Sequence, residues 1–323
     1  MSQTAASTFP VTPKTPAMLW QGALWKVGSM ACFALINGIV RYWSGGAATD
    51  HGTLDSLPVN VMIFFQNLFG VFCLLPWILK AGLQGLSTSY KGMHFLRAFS
   101  AVLGVSLWFF SLKEMPLAES VALSFTGPIF TVIGAWMLLH EHITVRRLCA
   151  IALSLSGAFI ISRPDLALQS SESLGLAVFL PLGSALSLAY SKLLTRKLTL
   201  LGEQPSTLAA ALLILMTPAS LPLALIEWQA PQPQHWPWLA LLGLLAAASH
   251  FSFGKAYQLA DVSFLAPFGF SKFMMSALVG YLVFQEFPKS WSLWLGMSII
   301  LCSIAVLHYK MPLYSEAKRL RSS

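Results

Sequence analysis

The chain has 323 residues, of which 56% are hydrophobic and 10% charged, with a mean hydropathy of +0.69. A soluble domain carries about 25% charged residues, and a water-soluble fold of this size has too little polar surface to cover so much apolar material. The net charge of +8 does not indicate a nucleic-acid binder, because the cations sit in short loops and tails and form no basic, aromatic-interleaved face.

The first 16 residues are polar and proline-containing. They lack the basic region, short apolar core and cleavage site of a signal peptide and read as a disordered cytoplasmic tail. A membrane helix needs about 20 mainly apolar residues. Ten segments approach or meet that length, at 17–43, 59–79, 93–112, 117–139, 148–161, 174–194, 208–226, 236–259, 262–284 and 291–307. The fold class expected is therefore all-α integral membrane, with ten transmembrane helices. Residues 311–323 form a basic tail. Cys32, Cys73, Cys149 and Cys302 lie in apolar runs without a CxxC pair. They read as small buried side chains, so neither a disulfide framework nor a metal site is expected.

Orientation follows from the basic residues. With the N-terminus inside, the cytoplasmic side holds Lys14, Lys80, Lys91, Arg146, Arg147, Arg196, Lys197, Lys310, Lys318, Arg319 and Arg321. The outside holds Arg41, Lys113, Arg163 and Lys289. The asymmetry puts both termini in the cytoplasm of an inner-membrane, multi-pass protein. Trp20, Trp43, Trp77, Trp236, Trp238 and Trp291 suit an aromatic belt.

The chain also repeats itself. At an offset of 145, Phe125, Glu141 and Leu148 meet Phe270, Glu286 and Leu293. At an offset of 155, Gly28, Ser29, Ala34 and Arg41 meet Gly183, Ser184, Ala189 and Arg196. Each half has five spans, an odd number, so the halves 17–164 and 165–310 must insert in opposite orientations. Such 5+5 inverted repeats are typical of secondary transporters with a site near the midplane between them.

The stretch 97–164 resembles the EamA repeat of the drug/metabolite transporter superfamily, through Arg97, Pro116, Ala118, Pro128, Glu141, Gly157 and Pro164. The second half is similar but degraded: no proline stands opposite Pro128, and Pro267 lies earlier in its span. The resemblance implies ten helices, a central cavity, alternating access and a small-molecule substrate. Export of an amino-acid-like or carboxylate-bearing metabolite is the expectation; uptake or exchange of a metabolite such as S-adenosylmethionine or riboflavin is the alternative. No cofactor is expected, and no HExxH, GxSxG or Walker A sequence points to an enzyme. A channel or structural membrane protein is the reading from another class, and the absence of a filter or charged ring argues against it. Coupling falls to protons, to a counter-substrate, or to the substrate's own gradient. The partners expected are thus a small molecule and the lipid bilayer, with oligomeric state open.

Charges in the hydrocarbon zone normally face protein or a wet cavity. His250, Lys255 and Lys272 are the deepest cations and are expected to line the cavity, with Tyr257, Trp108, Asn37, Gln66 and Tyr190 as polar and aromatic neighbours. Arg97 and Glu119 are gating or coupling candidates, and Pro128 and Pro267 are helix breaks. Lys26 and Lys192 lie close enough to the cytoplasmic ends of their spans either to snorkel or to function. The excess of buried cations favours a substrate with a carboxylate or phosphate.

Overall fold

The computed structural model describes residues 15–44, 56–85, 88–114, 123–124, 126–162, 178–284 and 291–308. Helices α1 (Pro16–Trp43), α2 (Val59–Gly85), α3 (Lys91–Glu114), α4 (Thr126–Leu139) and α5 (Val145–Ser162) form the first half. The second half contains α6 (Phe179–Leu200), α7 (Pro205–Ile226), α8 (Trp236–Leu259), α9 (Val262–Gly269), α10 (Ser271–Phe284) and α11 (Trp291–His308). No strand occurs among the described residues.

Among the described residues, five stretches are long and apolar enough to cross a membrane: Pro16–Val40, Val59–Lys80, Pro205–Ile226, Pro233–Leu259 and Val262–Val283. Thr126–Leu139 and Trp294–Val306 are shorter apolar helices. Helices α3, α5 and α6 carry Arg97, the Arg146–Arg147 pair, and Lys192 with Arg196. These charges lower the hydropathy of helices that are otherwise of comparable length. The outward surface is apolar: Leu24, Leu79, Trp136, Leu282 and Trp294 are exposed, as lipid contact requires. The same fact corrects the reading of the cysteines. Cys73, Cys149 and Cys302 are exposed, and only Cys32 is partly covered. A lipid-facing position and a core position demand the same apolar side chain, so the sequence alone did not separate them.

Two element boundaries differ from the hydropathy reading. Helix α6 runs six residues past the predicted end at 194, to Leu200, because Arg196 finds carboxylates inside the bundle and need not leave it. The single span predicted at 262–284 is two helices, interrupted at Phe270. Pro267 offers no N–H to the preceding turn, and the Phe270 N–H instead bonds the Pro267 carbonyl at 3.1 Å.

Helix α1 packs against α8, α3 against α6, α1 against α10, α4 against α6, α2 against both α7 and α8, and α5 against α11. Both α1–α8 and α3–α6 are antiparallel, as their contacts show. Gly22 on α1 faces Ala256 and Ala260 at the end of α8, while Trp43 meets His235 at the start of α8, with ring centroids 4.6 Å apart. The beginning of α1 therefore shares one end of the bundle with Arg196, Asp261 and Glu141. The end of α11 reaches the same level, because Ser303 meets Ser154 on antiparallel α5 at 2.5 Å.

Particular contacts recur between the halves. Ser29 Oγ donates to the Ser249 carbonyl at 3.0 Å, and Ser184 Oγ donates to the Gly104 carbonyl at 2.6 Å. Ser29 and Ser184 are 155 apart, and Gly104 and Ser249 are 145 apart. Gly134 faces Leu193, and Gly38 faces Val279. Here too the partners are related by 145 and 155, with the small and large residues exchanged.

Small residues let helices approach without a side chain between them. A Cβ at Gly243 of α8 would lie 2.4 Å from Phe69 Cβ, 2.6 Å from the Phe69 carbonyl carbon and 2.7 Å from the Gly70 nitrogen on α2. Backbone atoms cannot rotate away. Gly243→Ala is therefore expected to lower stability by about 1–3 kcal/mol, the range for overpacking, read as an earlier melting transition in detergent. An unchanged melting curve would show that α2 and α8 are not in this contact.

Candidate functional site

At the end of the bundle where α1 begins, an ion network ties four helices together. Arg196 on α6 is 2% exposed. Its Nε bonds Glu141 Oε1 at 3.0 Å, its Nη2 bonds Asp261 Oδ1 at 2.8 Å, and its Nη1 donates to the Tyr257 carbonyl. Arg147 on α5 bonds the other Asp261 oxygen at 3.2 Å and donates to Ser263 Oγ at 2.8 Å. Glu141 also accepts the backbone N–H groups of Val262 and Ser263 at 3.3 and 3.4 Å. Those N–H groups open α9, where a carboxylate complements the positive end of the helix. Residues of the first half thereby close this end against residues of the second.

A second cluster lies beside it. His94 is buried, with Nε2 3.8 Å from Glu203 Oε1, and Thr88 Oγ1 donates to the same oxygen. Arg97 is 1% exposed and donates from Nη2 to the Leu208 carbonyl at 2.5 Å. Its Nε and both His94 ring nitrogens lack a hydrogen-bond partner.

Deeper in the bundle stand three lysines. Lys26 on α1 is 5% exposed. Its Nζ sits 3.8 Å above the centre of the Phe253 ring and 5.3 Å from that of Tyr257, a favourable place for a cation. Its Cε lies 3.8 Å from where a Gly269 side chain would begin, so Lys26 approaches the interruption between α9 and α10. Lys272 follows that interruption, in the first turn of α10. Lys192 stands on α6, and it and Lys272 are half-buried. At 1.5 Å per residue, Lys26 is about 15 Å from Pro16 at the start of α1, and Lys192 about 12 Å from Leu200 at the end of α6 and about 6 Å from the level of Arg196. The described side-chain acids Glu141 and Asp261 are bound to Arg196 and Arg147, and Glu203 belongs to the His94 cluster. Glu227 follows α7 at the opposite end.

The residues expected to line a cavity do not all converge. Tyr257 is buried against Phe253, with centroids 4.5 Å apart, and joins the lysine centre together with Lys272. Lys255 instead reaches Gln258 at 3.1 Å on an exposed face. His250 lies edge-on to Phe33, 5.8 Å away, in the α1–α8 contact. Asn37 is exposed; Trp108, Gln66 and Tyr190 are half-buried, and none has a described contact with the lysines. Glu119 lies outside the described residues. Pro128 is in the first turn of α4, where proline is tolerated, and Pro267 is in the last turn of α9. Sequence reasoning treated Arg196 and Arg147 as topological charges and did not single out Asp261 or His94. The offset that aligns Arg196 with Arg41 was the one signal that Arg196 has a fixed place in the architecture.

The comparisons agree with this architecture. The chain is 35% identical to the riboflavin transporter of Vibrio cholerae over 291 residues, covering 89% of this chain and 92% of the relative. It is 26% identical to the S-adenosylmethionine uptake transporter of Rickettsia prowazekii, covering 80% and 84%. A solved crystal structure shares the fold, with a TM-score of 0.73 at 13% identity over 90% of this chain and 96% of its own. The family model for EamA-like transporters matches twice, at residues 28–163 and 175–309. With these two matches and its multi-pass helical architecture, the chain belongs to the EamA-like transporter family.

Proposed function

We propose that this protein takes up riboflavin or a closely similar heteroaromatic metabolite across the inner membrane by alternating access. The observation that carries the reading is the 35% identity to a riboflavin transporter over nearly the whole of both chains. The lysine centre supports it: Lys26, Phe253 and Tyr257 offer aromatic faces and a hydrogen-bond donor to a flat, carbonyl-rich ring. Uptake is favoured over the export expected from the sequence, because the Rickettsia relative is named as an uptake transporter. The moving units are the halves 17–164 and 165–310, the spans number ten, and the driving force is a proton gradient or a counter-substrate. Recurrent contacts such as Ser29–Ser249 and Ser184–Gly104 support equivalent halves.

Expression in a riboflavin-requiring bacterium without its own importer is expected to restore growth on low riboflavin and saturable uptake of labelled riboflavin. S-adenosylmethionine in excess should compete weakly. Strong competition by S-adenosylmethionine, with no riboflavin uptake, would replace the substrate; uptake that never saturates would favour a channel. Both termini are proposed to be cytoplasmic, from the basic asymmetry of the loops. A fluorescent protein that folds only in the cytoplasm, fused after Ser323, should fluoresce, whereas a periplasm-dependent phosphatase fused there should be inactive. The reverse pattern would invert the topology.

A further inference from the structure

We propose that the outward groove between α1 and α8 binds an acidic phospholipid, with Lys255 at the headgroup and an acyl chain lying along α1. The groove is on the far side of α1 from Lys26, so the inference stands apart from the riboflavin reading.

Helix α1 is covered on three sides. Ser29 holds it to Ser249 of α8, Gly38 faces Val279 of α10, and Lys26 points inward over Phe253. At 3.6 residues per turn, Gly28 is turned about 200° from Lys26, onto the remaining side. There a groove of about 450 Å³ is lined by Gln21, Leu24, Trp25, Gly28 and Cys32 of α1 and Ser252 of α8. The α1 positions follow helical spacing and form one stripe, about 16 Å long at 1.5 Å per residue. Gly28 opens the groove, because it is exposed and a Cβ there would meet nothing within 4 Å. Trp25 walls it, its ring centroid 5.9 Å from that of Phe251.

The groove is polar at one end. Gln21 is nearest the start of α1 and Cys32 is deepest along it. Ser252 is 8% exposed, and neither it nor Gln21 takes part in the side-chain hydrogen bonds among the described residues. Lys255 follows Phe251 by four positions and Ser252 by three, spacings at which helical side chains are neighbours. Gly22 faces Ala256, which puts Lys255 at the level of Gln21. Its Nζ donates to Gln258 at 3.1 Å, which uses one of three ammonium donors. Leu259 ends α8 four residues later, about 6 Å along the axis, so the ammonium reaches the headgroup region. A cation and uncommitted polar side chains at the interface, continued by an apolar trough toward the bilayer centre, match the polarity of an acidic phospholipid. With the termini inside, as proposed above, this end faces the cytoplasmic leaflet, whose acidic lipids give it a negative surface potential.

The test titrates phosphatidylglycerol and phosphatidylcholine with the same acyl chains onto the purified full chain in detergent and counts bound lipid by native mass spectrometry. The first phosphatidylglycerol is expected to bind about fivefold more tightly, the factor that one lysine near an anionic surface gives. Lys255→Gln should bind the two lipids equally. Gly28→Leu fills the groove and replaces a poor helix former, so it should weaken both lipids by about tenfold while the lipid-free melting curve is unchanged or shifted up. If either variant fails to fold, Lys255→Met or Cys32→Phe replaces it. Equal binding of the two lipids by the native chain, a preference that survives loss of the Lys255 charge, or binding undisturbed by the filled groove would each overturn the inference. A native dimer that Gly28→Leu dissociates would overturn it too, by assigning the groove to a second copy. Failure of riboflavin uptake leaves all these readings unchanged, because none of them uses the cargo.

Discussion

Arg196→Ala is expected to remove about 3–5 kcal/mol of stability, the range for breaking a buried ion pair by deleting one partner, and to abolish transport. The guanidinium serves three acceptors from three segments: Glu141 after α4, the Tyr257 carbonyl near the end of α8, and Asp261 at the start of α9. Alanine would leave Glu141 buried without its cation, because of the two carboxylates Arg147 reaches only Asp261. Lysine retains the charge but cannot reach three acceptors with one ammonium, so Arg196→Lys should fall between alanine and the native residue. Glu141→Gln keeps the shape but has a single acceptor oxygen, so it retains only one of the two backbone contacts to α9. It should still cost less than Arg196→Ala, because no buried charge is left unpaired on a carboxylate. Thermal melting in detergent gives the stability order, and uptake into proteoliposomes gives the function. A near-native melting curve for Arg196→Ala would mean that the network is not what closes this end of the bundle. A stable Arg196→Ala protein that binds ligand without transporting it would assign the network to the conformational cycle rather than to folding.

The sequence showed the membrane class because lipid-facing and core positions both demand apolar side chains, which made the helices easy to find. Span 236–259 coincides with α8 and span 291–307 nearly with α11. The same chemistry hid which face of each helix is inside. Cys73 and Cys149, read as buried, lie on the outside, and Lys255, read as lining the cavity, bonds Gln258 on an exposed face. Lys26 had an ambiguous depth, yet it is buried in the interior, because rotation about the helix axis, not distance from its end, decides whether a side chain meets protein or lipid. The ion network was harder still to read. Glu141, Arg147, Arg196 and Asp261 are separated by up to 120 positions, and nothing local distinguishes Arg196 from an ordinary interfacial arginine. The contact between the halves becomes visible only when the end of α4 and the start of α5 are seen beside α6 and α9.

Lys26→Met is expected to make the protein more stable and less active. The balance is between two magnitudes. A charged side chain at the centre of a membrane helix is opposed by about 2.5–3.5 kcal/mol, while a desolvated cation over an aromatic ring regains about 2 kcal/mol. Lys26 has that ring contact with Phe253 at 3.8 Å. The difference leaves the native lysine unfavourable by about 1 kcal/mol, and methionine, similar in length and flexible enough to lie against the same ring, recovers it. For a chain of this size the gain corresponds to a rise of about 2 °C in melting temperature, measured without ligand. Ligand should then reverse the order: riboflavin that stabilises the native protein should stabilise Lys26→Met much less, because a ring carbonyl loses the ammonium that would donate to it. A residue retained for structure would behave in the opposite way, its loss lowering the melting temperature with or without ligand. A fall in the ligand-free melting temperature of Lys26→Met would therefore mean that Lys26 holds the helices together, and that its charge is compensated within the protein itself.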